Sequence, residues 1–117
     1  MDAIFINHTN HRSEQWSIEQ RAAAERFGRI VDLPFPDIHP DWGEVEIAGM
    51  AVGTAARIVA MKPEAVLCQG EFTLAFHVVQ GLKRLGIPVY AACSQRNTVT
   101  QGDKKISIFN FVRFRAY

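Results

Sequence analysis

Cysteine is scarce in this chain. Only Cys68 and Cys93 occur in 117 residues, and no C-x-x-C spacing exists. That excludes a disulfide-stapled scaffold and gives no thiolate zinc site. Both cysteines fall at the ends of predicted parallel strands, where they read as small buried thiols. Long apolar runs are missing too. No stretch reaches the roughly 18 apolar residues of a membrane span, so no membrane partner is expected. The chain opens directly on a strand, without a basic or long apolar leader, so a cytoplasmic location is expected. A strong charge of one sign is also absent. The net charge of +1 argues against a whole-protein field for long nucleic acid. Three loop signatures are lacking as well: Walker A, G-x-G-x-x-G and G-x-S-x-G. Their absence disfavours nucleoside triphosphates, dinucleotides and serine-hydrolase chemistry.

What is present is an ordinary globular composition, 48% hydrophobic and 21% charged, which excludes disorder. At this length the expectation is one domain, 1–117, that buries roughly two thirds of its unfolded surface. The apolar segment Ala3 to Asn7 predicts a first strand. Ser17, with Gln20 three residues on, predicts a capped helix that stops near Gly28. Arg29 to Leu33 predicts a second strand, and Pro34, Pro36 and Pro40 hold an extended loop. A second helix runs from about Glu44 to Lys62-Pro63, with Ile47, Met50, Ala51, Thr54, Ile58 and Val59 inward. Ala65 to Cys68 is a third strand. The third helix spans about Glu71 to Leu85, with Phe72, Ala75, Val78, Val79, Leu82 and Leu85 inward. Pro88 to Ala92 is a fourth strand. Gly102-Asp103 then turns a β-hairpin whose second arm is rich in Phe and Arg.

Alternating strands and helices predict an α/β, Rossmann-like fold. The sheet is mostly parallel, with helices on both faces and a C-terminal antiparallel β-hairpin at its edge. Ligands of such sheets bind beyond the carboxyl ends of the strands. Three polar clusters are expected to converge there. The first is Asn7, His8, Thr9, Asn10 and His11, where histidine can move protons. The second is Gln69, Gly70, Glu71, Phe72 and Thr73. In it Gly70 permits close ligand approach, and the following helix N-terminus suits phosphate. The third is Ser94, Gln95 and Arg96, suited to holding phosphate. Trp16 could stack on a base. Each group has a plainer alternative. Asn7 and His8 could satisfy backbone groups at a strand end, Glu71 and Thr73 could cap the helix, and Arg96 could be a solvated surface charge. No metal site is expected, because His39 and His77 lie apart from the first cluster.

The segments FINHTNH, DLPFP, PEAVLCQGEFTL, AACSQR and FVRFRAY resemble a family of small CRISPR-associated proteins. They are similar to ancillary proteins of type III systems with a CARF-like, Rossmann-type fold, and the resemblance covers almost the whole chain. It implies a homodimer that binds a cyclic oligoadenylate across its two-fold axis, without cofactor. Some small relatives are ring nucleases, which cut this messenger without metal by attack of a ribose 2′-hydroxyl on the adjacent phosphate. Under that reading His8, Ser94 and Arg96 are the expected catalytic residues. Asn7, Thr9, Asn10, Trp16, Gln69, Gly70, Glu71, Phe72, Thr73 and Gln95 are the expected ligand-binding residues. Two alternatives stay open: a non-catalytic nucleotide sensor or sequestering module, and a small interaction subunit that uses the Phe109 to Phe114 strand.

Overall fold

A computed structural model describes residues 2–117. Among them, five strands form one sheet: β1 (Ile4–His8), β2 (Arg29–Asp32), β3 (Ala65–Cys68), β4 (Val89–Gln101) and β5 (Lys104–Ala116). The helices are α1 (Ile18–Glu25), α2 (Glu44–Ala60) and α3 (Phe72–Arg84). The strand order is β2-β1-β3-β4-β5, parallel up to β4 and antiparallel between β4 and β5. The fold is therefore mixed α/β with the expected antiparallel pair at one edge.

The apolar pattern divides the helices between the two faces. Ile4, Ile6, Val66, Cys68 and Val89 meet α2 and α3 on one face. Phe5, Ala65, Leu67 and Phe114 meet Ala24 of α1 on the other. Strands β1 and β3 are buried throughout, as central parallel strands must be. Each large side chain fully buried there, such as Phe5 or Leu67, contributes roughly 1.5–3 kcal/mol of transfer free energy.

Local chemistry sets the element ends. Ser17 Oγ accepts from the Gln20 N–H at 3.1 Å and caps α1, which stabilises the helix by about 1 kcal/mol. α1 ends at Glu25, and the chain turns at Gly28 to enter β2. In α2, Glu46 Oε2 accepts from the Gly43 N–H at 2.9 Å.

Three expectations need correction. Phe72 and Leu85 do not face inward on α3; they are 89% and 60% exposed, Phe72 as the first residue of the helix and Leu85 as its C-cap. The inward positions are Leu74, Val78, Val79 and Leu82. Strand β4 does not stop at Ala92. It continues through Ser94, Gln95 and Arg96 to Gln101, paired along its length with β5. The third polar cluster is therefore part of a strand, not a loop. Residues 94–110 of the ribbon are all exposed, so polarity there is compatible with a strand.

One irregularity shapes this ribbon. Cys93 pairs with Arg113 and Ser94 with Phe111, so Val112 has no opposite number. Phe111 and Phe114 share a face although they are three apart, because Val112 between them is unpaired. Their rings meet edge-on at 4.9 Å.

Gly28 gives the first test. A Cβ there would lie 2.4 Å from the Ala3 carbonyl oxygen, where the Arg29 N–H bonds to β1. Gly28→Ala is expected to lower unfolding free energy by about 1–3 kcal/mol, read from urea denaturation, because backbone atoms must shift to admit it.

Candidate functional site

The chain leaves β1 toward α1 on one face and leaves β3 toward α3 on the other. The two loops diverge and open a cleft of about 700 Å³ at the carboxyl ends of the strands. Its walls come from the loop after β1 (Thr9, Asn10, His11), the segment leading into α1 and its first turn (Gln15, Trp16, Ser17, Gln20), the loop after β3 (Gln69, Gly70) and the ribbon (Ser94, Phe109, Phe111). Among the described lining residues there is no Asp, Glu, Lys or Arg; His11 is the titratable group. The cleft thus offers three aromatic rings, several amides and hydroxyls, and one imidazole.

A hydrogen-bond knot fixes the first wall. The Asn7 side-chain amide donates to the His11 carbonyl at 2.8 Å and to Asp32 Oδ1 at 3.0 Å. Thr9 Oγ1 donates to Asn7 Oδ1 at 2.8 Å. Asp32 in turn accepts from the Ser13 N–H. Asn7 is 1% exposed, so it positions the His11 loop and does not itself line the cleft. Each buried bond of this kind contributes about 1 kcal/mol, and the larger effect is to hold the loop in one geometry.

His8 is placed elsewhere. It is 2% exposed and lies on the opposite face, its ring 5.0 Å from Phe35. Nδ1 sits 2.7 Å from the Leu33 carbonyl, which can only accept, so Nδ1 carries the proton. Nε2 is buried without a partner among the described residues. Burial lowers its pKa, the Leu33 contact opposes that, and the Arg57 charge adds to the lowering. The expected role of His8 as an acid or base at the ligand is not supported by this placement; His11, three residues on, is the histidine at the cleft.

The other expected residues divide three ways. Thr9, Asn10, Trp16, Gln69, Gly70 and Ser94 come together at the cleft. Gln69 also bridges the strands where they part, its Oε1 accepting from the Ala92 N–H at 2.7 Å. Arg96 stands just outside, on the same ribbon face as Ser94. Its guanidinium lies 6.0 Å above the Phe109 ring and donates to Ser107 Oγ at 3.0 Å. Gln95 points to the opposite ribbon face, and Phe72 and Thr73 border a separate groove. Glu71 is the N-cap of α3, with its carboxylate accepting from the Leu74 and Thr73 N–H groups and the Thr73 hydroxyl. Those bonds hold its pKa below the usual carboxylate range.

Gly70 has a reason other than close ligand approach. A Cβ there would lie 2.4 Å from the Phe35 ring, so the glycine admits Phe35 against the β3 end. Cys68 is inert, its thiol pushed up to about 12 by burial. No group of three or more His, Cys, Asp or Glu side chains suited to a metal occurs among the described residues. Gln15, Gln20, Phe109 and Phe111 line the cleft although sequence patterning did not single them out as site residues. Gln20, three residues after the Ser17 cap, lies in the first turn of α1.

The profile of the Uncharacterized protein MJ1673 family matches residues 3–115, and the chain belongs to that family. No curated protein and no solved structure shows a significant match. No helix among the described residues is long and apolar enough to cross a membrane.

Two tests follow from this geometry. Gly70→Ala is expected to cost about 1–3 kcal/mol in denaturant unfolding through overpacking against Phe35, and adding Phe35→Leu should recover part of the loss. His8 gives a pH signature. Its folded pKa lies below the unfolded value near 6.5, so the unfolded chain takes the proton first as pH falls. Stability should therefore be full above pH 6.5 and decline as pH drops below it. Urea midpoints measured across that window should slope less in His8→Leu than in the parent.

Proposed function

We propose that this member of the MJ1673 family is a Rossmann-like, CARF-type domain that binds a cyclic oligoadenylate at the carboxyl edge of its sheet. The same reading makes it a homodimer of the cytoplasm that cuts this messenger in type III CRISPR antiviral signalling. The observation that carries the proposal is the composition of the cleft. Trp16, Phe109 and Phe111 offer faces on which adenines can stack, each worth about 1–3 kcal/mol in comparable sites. Gln15, Gln20, Asn10 and Gln69 offer amides that can both donate to and accept from base edges and ribose hydroxyls. No carboxylate among the described lining residues would repel a phosphate.

Cleavage within such a ligand needs a ribose 2′-hydroxyl held in line with its own phosphate. It also needs a group to move the proton and donors for the charge that develops on phosphate. His11 is the proton-moving group in this scheme. His11 takes the 2′-hydroxyl proton as the 2′-oxygen bonds to phosphorus, and a phosphate oxygen gains charge. The bond from phosphorus to the 5′-oxygen breaks and that oxygen receives the proton from His11, leaving a 2′,3′-cyclic phosphate and a free 5′-hydroxyl. Ser94 donates to the phosphate from the cleft wall, and Arg96 does so after swinging off Phe109.

The test is incubation with cyclic tri-, tetra- and hexa-adenylate, with products separated by chromatography and binding measured by calorimetry. Linear products from one ring size are expected. His11→Ala should slow turnover by about 100-fold or more with affinity little changed, as general acid–base groups contribute that much. Phe109→Ala should weaken binding. Turnover surviving His11→Ala would reassign the chemistry, binding without products would make the protein a sensor or sequestering module, and no binding would remove the oligoadenylate reading.

A further inference from the structure

The β4–β5 ribbon continues well past the body of the protein. Seven registered pairs, from Gln95–Asn110 to Gln101–Lys104, follow the irregularity at Cys93/Ser94, and all their residues are exposed, a reach of roughly 23 Å at about 3.3 Å per residue. A two-stranded ribbon alone in water is at best marginally stable, so this arm needs something to lie against. Its faces differ in character. Val99 pairs with Ile106 and Asn97 with Ile108, which puts Val99, Ile106 and Ile108 together. They are 42%, 41% and 46% exposed, and alternation along β4 puts them on the side of the sheet that carries α2 and α3.

The α3 side of the body bears a matching surface. A groove of about 570 Å³ runs along the start of α3, walled by Phe72, Ala75, Phe76, Val79 and Tyr117. Phe72 and Phe76 stand 89% and 58% exposed there. The groove and the cleft share Gln69 and Gly70, so they are the two sides of one ridge.

Charge identifies the occupant. The arm, residues 95–110, holds Arg96, Lys104 and Lys105 against Asp103, a net +2. The chain as a whole is +1, so the other 101 residues carry −1. Several of their carboxylates, Asp37, Asp41, Glu44, Glu46 and Glu71, lie where the chain enters α2 and α3, at the same end of the same face as the groove. One chain thus holds an apolar arm tipped with Lys104 and Lys105 and an apolar groove bordered by Glu71. A closed two-fold dimer uses such a pair twice.

We propose that two copies of the chain exchange arms, the ribbon of each lying in the α3 groove of the other. The exchange rests on the proposed homodimer and says how it is made. It also carries each ribbon past its partner's Gln69–Gly70 ridge, so the ligand cleft is flanked by a strand from the second copy.

Analytical ultracentrifugation of the full chain at tens of micromolar, without nucleotide, tests this. A dimer is expected for the parent, and monomers for Ile106→Asp and for Phe76→Glu, with unchanged circular dichroism because both positions are exposed. In a Cys93→Ser background, an Ile106→Cys chain mixed with a differently tagged Phe76→Cys chain should give a mixed-tag dimer with a short thiol cross-linker. A monomeric parent overturns the exchange. So does a dimer that persists in both charge variants, or one in which the two cysteines fail to link. The assay holds no nucleotide, so its result is separate from the ligand reading. A cross-linked dimer that binds no cyclic adenylate removes the ligand and keeps the exchange, while a monomer that binds one does the reverse.

Discussion

Burial of β1 on both faces, with a parallel neighbour on either side, is the constraint from which the working edge follows. Phe5 presses toward α1 while Ile4 and Ile6 press toward α2 and α3. The chain must leave β1 on one side of the sheet, and it leaves β3 on the other. A crevice between those exits is the geometric consequence, and its position does not depend on the polar residues that line it. Those residues decide only what the crevice can hold. The Asn7 knot converts an unavoidable gap into a wall of fixed shape, at the expense of burying an amide that is fully used.

Two functions commonly sought in a strand-end histidine are separated here by the pleat. Successive residues of β1 face opposite sides, so Asn7 turns toward the loop and His8 turns into the core against Phe35. His11, released from the strand, reaches the cleft. The same alternation parts Ser94 and Arg96 from Gln95. A cluster of polar residues at consecutive positions is therefore not one site when the backbone is extended.

Much of the architecture was legible. The Ala65–Cys68 strand, the Ser17 cap, the α2 face of Ile47, Ala51 and Ile58, and the antiparallel edge follow from periodicity and capping chemistry. The location of the cleft follows from strand order. The hairpin turned at Gly102-Asp103 was legible, but the continuity of the fourth strand from Ala92 through Cys93 to Asn97 was not, because the hydrophobic pattern marks strands only where a layer covers them. Ser94 to Gln101 is held by backbone pairing with β5, a long-range term that residue composition does not report. Phe109 and Phe111 were assigned to an edge for the same reason, and their place in the cleft depends on that pairing. Gly70 shows a different limit: its need for a missing Cβ is set by Phe35, 35 positions away.

The unpaired Val112 separates what the ribbon carries from where it goes. With that residue absent, Phe111 would still share a face with Phe114, since ordinary alternation through Arg113 gives the same arrangement. The extra bend and twist that a bulge introduces would be gone. A single-residue deletion there would thus keep every side chain on its present face and swing the ribbon to a new heading. Lineages of this chain could re-aim the ribbon in one genetic step, without redesigning its surface.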